Sequence, residues 1–153
     1  MNNFIELIEG HYRNQRQAMS APANWPQIDI RIWTVASGIF ESKSWYKYLG
    51  EKKPYNWLRY SIVENTEDTV VTKLYSVLED KDIECPITWT WDGFWWNGSN
   101  GECVVNNIKA RTRVRFNGYD YRTQDQGIDL TTGEQRWGKK PEEGEFLFVR
   151  LDK

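Results

Sequence analysis

Residues 109–125 read KARTRVRFNGYDYRTQD. Ala110, Thr112, Val114 and Phe116 alternate with Arg111, Arg113 and Arg115. That period of two sends successive side chains to opposite faces of a β-strand. Asn117-Gly118 is a hairpin signal, because both residues tolerate the positive φ that tight turns need, and a second strand over 119–125 follows. Outward from this hairpin the same pattern repeats. Ile28, Ile30 and Ile32 alternate with Asp29, Arg31 and Trp33, ahead of a Ser37-Gly38 turn. Strands are predicted over 39–48, Tyr55–Val63, Thr69–Leu78, Ile87–Trp91, Phe94–Asn97 and 102–106, separated by Gly50–Pro54, ENTED, EDKD and Asp92-Gly93. Downstream, DLTTGEQ reads as a loop and Glu145–Leu151 as the last strand.

About ten short strands joined by hairpin turns predict an all-β fold, an antiparallel up-and-down barrel whose closure removes exposed strand edges. A small barrel of this kind has room for one ligand. At the N-terminus, Phe4, Ile5, Leu7 and Ile8 fall at helical spacing, with Asn2 or Asn3 as cap and Gly10 as stop. One domain over 1–153 is therefore expected, with a short helix in 1–10, a loop or irregular strand in 11–26, and barrel strands across 27–151.

Composition narrows the chemistry. The chain has 153 residues and a net charge of −2, a poor basis for a general grip on nucleic-acid backbones or anionic membranes. Uncharged runs fall short of the roughly 20 residues of a membrane span. MNNFIELIEG lacks the basic start of a signal peptide, so a cytoplasmic location is expected. Two cysteines and one histidine, His11, exclude a Cys-based zinc site and most His-ligated metals; no metal is expected. Nine tryptophans are many for this length. They suit either a large planar ligand or a tryptophan-rich β core.

Alternation leaves the inward face open. Under one assignment Ile28, Ile30 and Ile32 fill the barrel, and Arg31, Arg111, Arg113 and Arg115 form a solvated face. Under the other, a wet calyx is lined by polar and aromatic side chains, and the N-terminal helix or a second subunit covers the outer aliphatic face. The second assignment makes a homodimer an expectation. Cys85 and Cys103 lie 18 positions apart on neighbouring predicted strands, as reduced thiols, a cross-strand disulfide or a thiol that attaches a ligand. Asp125 and Asp129 flank Gly127 and are expected to shape a turn or, as the alternative, to contact a ligand or partner; Trp137-Gly138 reads as a plug of one barrel end, and His11 as structural.

Ordered along the chain are Gly10-His11-Tyr12-Arg13-Asn14-Gln15-Arg16-Gln17-Ala18 with Pro22, then Pro54-Tyr55, then Cys85 and Cys103 with Phe94 and Gly98 between them. The C-terminal part carries Asp125-Gln126-Gly127-Ile128-Asp129, Thr132-Gly133-Glu134-Gln135, Trp137-Gly138, and Phe146, Phe148, Arg150. In order and spacing this set resembles the T-type phycobiliprotein lyases, the CpcT/CpeT family, in the compact version carried by cyanophages. The chain departs from that pattern at Ser42-Lys43, where the family often has Glu-Gln and this chain has Glu41 one place earlier. It departs again at Asn56 and Leu58, where the family often has arginines and this chain has Arg59 one step on.

The resemblance implies a lipocalin-like barrel. It would bind an open-chain tetrapyrrole such as phycoerythrobilin, non-covalently and as substrate rather than cofactor, and pass it to a cysteine of a phycobiliprotein β-subunit through a thioether. A bilin reductase is the expected donor. A bilin needs flat walls, cations for its two propionates and a carboxylate for its pyrrole N–H groups. The candidate ligand-binding residues are Gln27, Arg31, Trp33, Trp45, Tyr55, Asn56, Trp57, Arg59, Trp89, Trp91 and Tyr121, with Asp29 and Glu41 as candidate catalytic carboxylates. Rival readings are a bilin carrier without transfer activity, a single-stranded nucleic-acid binder that uses its aromatics and the Arg111–Arg115 face, and a fatty-acid carrier.

Overall fold

A computed structural model describes residues 2–139 and 143–152; residues 1, 140–142 and 153 of the expected domain lie outside the described residues. The chain runs α1 (Phe4–Ile8), β1 (Gly10–Arg13), α2 (Gln15–Ser20), β2 (Ile28–Ala36), β3 (Ile39–Tyr46), β4 (Asn56–Asn65) and β5 (Thr69–Ser76). It continues with β6 (Lys81–Trp91), β7 (Trp96–Ser99), β8 (Cys103–Val105), β9 (Ile108–Phe116), β10 (Asp120–Asp129), β11 (Gln135–Gly138) and β12 (Phe146–Arg150). Every pairing is antiparallel, and the β9–β10 contact closes the sheet on itself. Going round, the ring is β1-β2-β3-β4-β5-β6-β7-β9-β10-β12, with β8 hanging from β9 and β11 from β10. The expected all-β barrel is the observed fold.

Two elements escaped the sequence pattern. Residues 11–26, expected as a loop or irregular strand, contain most of the short strand β1 and, unforeseen, all of α2. Asn14 fixes both: its amide donates to the Pro26 carbonyl (2.9 Å) and its Oδ1 accepts from the Ile28 N–H (2.7 Å). The β9–β10 connection is also wider than a two-residue turn, because Phe116 pairs with Tyr121. Asn117 Oδ1 accepts from the N–H groups of Tyr119 (3.0 Å) and Asp120 (2.9 Å), and Gly118 takes φ +99°. The side chain thus replaces ladder bonds that a tighter turn would have kept.

One end of the barrel is filled. Ile28, Ile30, Ile32, Phe40, Tyr60, Val70, Ile87, Trp89, Trp96, Val114, Phe116, Tyr121 and Phe148 belong to a single buried cluster. Helix α1 does not lie over the outside; it inserts into this cluster as a plug. The Phe4 ring meets those of Trp96 and Phe116 at 5.2 Å and Trp89 at 5.3 Å, all edge-on. Burying Phe4 contributes about 2–3 kcal/mol. The two asparagines before the helix divide the work: Asn2 Oδ1 caps the Phe4 N–H (3.1 Å), while Asn3 Oδ1 accepts from Trp96 Nε1 (2.9 Å).

Strand β6 pairs with β7 only through Thr88–Trp91, although it pairs with β5 along much of its length. Its first half faces β8 without ladder bonds between the two, and there Cys85 and Cys103 form a disulfide with Cα atoms 5.9 Å apart. Of the alternatives open in the sequence, the structure takes the cross-strand bridge. For a separation of 18 residues, loop-closure entropy gives about 3 kcal/mol of stabilisation. The double variant Cys85→Ser/Cys103→Ser is expected to lose about that much in urea unfolding at pH 7. An unchanged midpoint would mean that the bridge does not form in solution.

Candidate functional site

The other half of the barrel is hollow. A cavity of about 640 Å³ lies between the aromatic plug and the β11 flap, within the range of about 300–1,000 Å³ usual for small-molecule sites. Its walls combine aliphatic Ile30, Leu58, Leu74 and Ile87 with hydroxyl and amide groups from Ser42, Ser44, Asn56, Thr112 and Thr123. A second chamber of about 380 Å³ continues past Trp137 toward Ile28, Tyr46, Phe146 and Phe148. Tyr55, Thr123, Asp125 and Trp137 border both spaces.

Asp125 is a charged group of the inner wall; Lys81, Asp82 and Glu84 stand at its exposed rim. Asp125 projects from β10 on the same face as Tyr121 and Thr123 and lies opposite Thr112 in the β9–β10 register. Its side chain is exposed to the cavity space, with protein packed densely around that space. Burial raises its pKa, and the hydrogen bond from Thr112 only partly offsets that. The tyrosines around it respond. Burial, with Asp125 adding like charge, raises the phenols of Tyr55 and Tyr121 and pushes Tyr60 up to about 12. The result is one carboxylate in a ring of neutral phenols that stay protonated, a site built to accept hydrogen bonds from a ligand's N–H edge or to hold its positive charge.

Trp137 closes this site from the flap. It packs flat on Gly127, where a Cβ would overlap the indole ring; only glycine lets β11 lie so close to β10. Asp129, not Asp125, shapes the turn: its Oδ1 accepts from the N–H groups of Thr131 (2.8 Å) and Thr132 (3.2 Å), and its Oδ2 binds Arg136 (2.8 Å).

The structure separates the residues expected at the pocket into three groups. Tyr55, Asn56 and Tyr121 line the cavity. Trp89 and Trp91 share the inward face but belong to the filled end: Trp89 Nε1 donates to Thr72 Oγ1 (3.1 Å), and Trp91 packs on Trp96 at 5.6 Å. Gln27, Asp29, Arg31, Trp33, Glu41, Trp45, Trp57 and Arg59 take the opposite parity and stand on the outer wall, which corrects their expected place in the pocket. The reason is that Ile28, Ile30 and Ile32 face the core, so their neighbours must face out.

On that outer wall the two carboxylates expected to be catalytic are clamped. Asp29 is 2 % exposed and holds Arg13 through two bonds (2.8 and 2.9 Å) and His11 Nε2 (2.7 Å). Burial alone would raise the Asp29 carboxyl, but Arg13 and His11 hold it below the usual range. Glu41 accepts from Trp57 Nε1 and Arg59 Nε, both at 2.8 Å. Beside them, Lys43 stands 4.3 Å from the Trp57 ring centroid, and the Trp45 ring lies 5.7 Å from His11. Arg113 and Arg115 line a separate outer groove of about 1170 Å³ with Thr88, Thr90 and Asn97. It is larger than the inner cavity but open, and Arg115 is tied there to Glu145 (2.9 Å).

Sequence reasoning placed Asp125 in a turn first and at a ligand or partner contact second, and read Trp137 as a plug of one barrel end; the structure puts both at the cavity. The signal for Asp125 was present: it is an acid two and four positions from Thr123 and Tyr121, on a strand whose partner has a clean inward face. It was masked by the assumption of a turn at Gly127. Among the described residues no cluster of His, Cys, Asp or Glu is arranged to hold a metal ion, and no helix is long and apolar enough to cross a membrane.

No family model matches the chain, and no curated protein sequence matches it. Solved structures do. The chain is similar to the T-type phycobiliprotein lyase CpeT from Prochlorococcus phage P-HM1, with a TM-score of 0.73 and 22% identity over 97% of this chain and 96% of that one. It is also similar to the CRL protein of Arabidopsis, with a TM-score of 0.71 and 15% identity over 95% of this chain and 94% of that one. The CpcT/CpeT-like barrel expected from the sequence is the fold this chain has.

Proposed function

We propose that this protein binds a linear tetrapyrrole in the inner cavity, as substrate and without covalent attachment, and presents it to a cysteine of a phycobiliprotein β-subunit. The observation that carries the reading is Asp125, a carboxylate that lines a cavity of suitable size and stands opposite Thr112 in the β9–β10 register. The fold shared with the phage lyase supports the same assignment.

The chemistry follows from these groups. A bilin's pyrrole N–H groups converge on Asp125, and a protonated pigment supplies the positive charge that burial makes the carboxyl lack. The tyrosine hydroxyls are held neutral, with Tyr55 and Tyr60 bonded to Ser44 and Ser42. The flat chromophore lies against Leu58 and Trp137. The acceptor's thiol adds across the exocyclic ethylidene bond: sulfur bonds to the ethylidene carbon and the thiol proton ends on the adjacent ring carbon, so the step needs no oxidant or reductant. The acceptor supplies the nucleophile, a few per cent thiolate at neutral pH for a pKa of about 8.5. The barrel contributes position and exclusion of water. A bilin reductase would supply the pigment.

Mixing the protein with phycoerythrobilin is expected to give a sharpened, red-shifted absorption band. Adding apo-β-subunit should then leave pigment on the subunit after denaturation. No spectral change would overturn the reading. A band without covalent transfer would select the carrier instead, a reading favoured by Asn56 and Leu58 standing at inward positions of β4 where a guanidinium would have been expected to anchor and orient the pigment.

A further inference from the structure

We infer that the cavity recognises its tetrapyrrole by the N–H-bearing edge and leaves the propionates in water at the rim, so that esterified pigment binds as well as the free acid. This rests on the tetrapyrrole reading. Two observations carry it. The first is the sign of the charge inside: the carboxylates that line the cavity are Asp125 and, at its exposed rim, Asp82 and Glu84, while Tyr55, Tyr60, Tyr121 and Thr112 beside Asp125 are neutral. A propionate drawn in beside them would lose its hydration and face a like charge.

The second is where the cations are. Arg31 and Arg59, expected to hold the acids, stand on the outer wall against Glu51 (3.5 Å) and Glu41 (2.8 Å). Among the described residues, two ammonium groups border the inner spaces, and both are already engaged. Lys81 lies at the rim, 68% exposed, 3.0 Å from Glu79. Lys139, on the flap, donates to the Asn24 carbonyl and sits 4.8 Å from the Trp25 ring centroid and 3.9 Å from Glu143. A solvent-exposed pair such as Lys81–Glu79 changes affinity by no more than about fivefold, and Lys139 is held by the Asn24 carbonyl and the Trp25 ring.

The test compares phycoerythrobilin with its dimethyl ester, titrated by absorbance at low and high salt. Dissociation constants within about fivefold of each other are expected, and the same for Lys81→Ala with the free acid. An ester weaker by more than that, or the same loss in Lys81→Ala, would overturn the inference while leaving the tetrapyrrole reading intact. If neither pigment binds, both fall. Ester binding must also be weakened by Asp125→Asn; ester binding indifferent to that change is surface adsorption and overturns the inference.

Discussion

Asp125→Asn should weaken bilin binding by about 10- to 100-fold and erase the sharpened band, while making the empty protein more stable at neutral pH. The binding loss follows from exchanging charge-assisted bonds for neutral ones, worth about 1.5–3 kcal/mol in an enclosed site. The gain in stability has the opposite origin. Burial raises the Asp125 carboxyl above the unfolded value of about 3.9. A group with a raised folded pKa contributes stability that is present below the unfolded pKa and lost as pH rises through the folded one. Asparagine imitates the protonated form, so its advantage should be visible at pH 7 and vanish below about pH 4. Thermal melts at both pH values, beside absorbance titrations, measure the two effects. A variant that binds normally would remove Asp125 from the site.

Asp29→Ala should do the reverse: cost stability and spare the spectrum. Asp29 was expected at the reaction centre, but its partners are Arg13 and His11 on the outer wall. Removing one member of a buried charge cluster costs about 3–5 kcal/mol. Side-chain exposures of 20% for Arg13 and 23% for His11 let water rescue part of that, so about 3 kcal/mol is expected, or about 6–12 °C in Tm for a chain of this size. The depressed carboxyl sets the pH dependence. Its contribution is present above the unfolded pKa of about 3.9 and lost as pH falls through the lower folded value, so the gap between wild type and variant should close in acid. Folded Asp29→Ala should still give the bilin band. Loss of the band with no loss of stability would return Asp29 to the ligand.

The strand order was readable because each signal is local. Ile28, Ile30 and Ile32 announce a strand wherever it packs, and so does the run from Ala110 to Phe116. The helix α2 was not readable, since its anchor, Asn14, bonds to Pro26 and Ile28, contacts that exist only after the chain has folded back. Nor was the meaning of the tryptophans. Among the described residues Trp137 borders the cavity, while Trp33, Trp45 and Trp57 stand outside it and Trp89 and Trp96 fill the closed end.

What the sequence determined by itself was a meander of antiparallel strands, capped by one short helix and long enough to close. Which side of that sheet became the inside was decided by tertiary structure. A period of two is symmetric between faces, and a slip of one residue exchanges them entirely. In the fold, Phe4 packs among Phe40, Trp89, Trp96 and Phe116 on the face that carries the buried cluster. With the aliphatic face inward, Asp29 and Glu41 point outward and Asp125 borders the hollow.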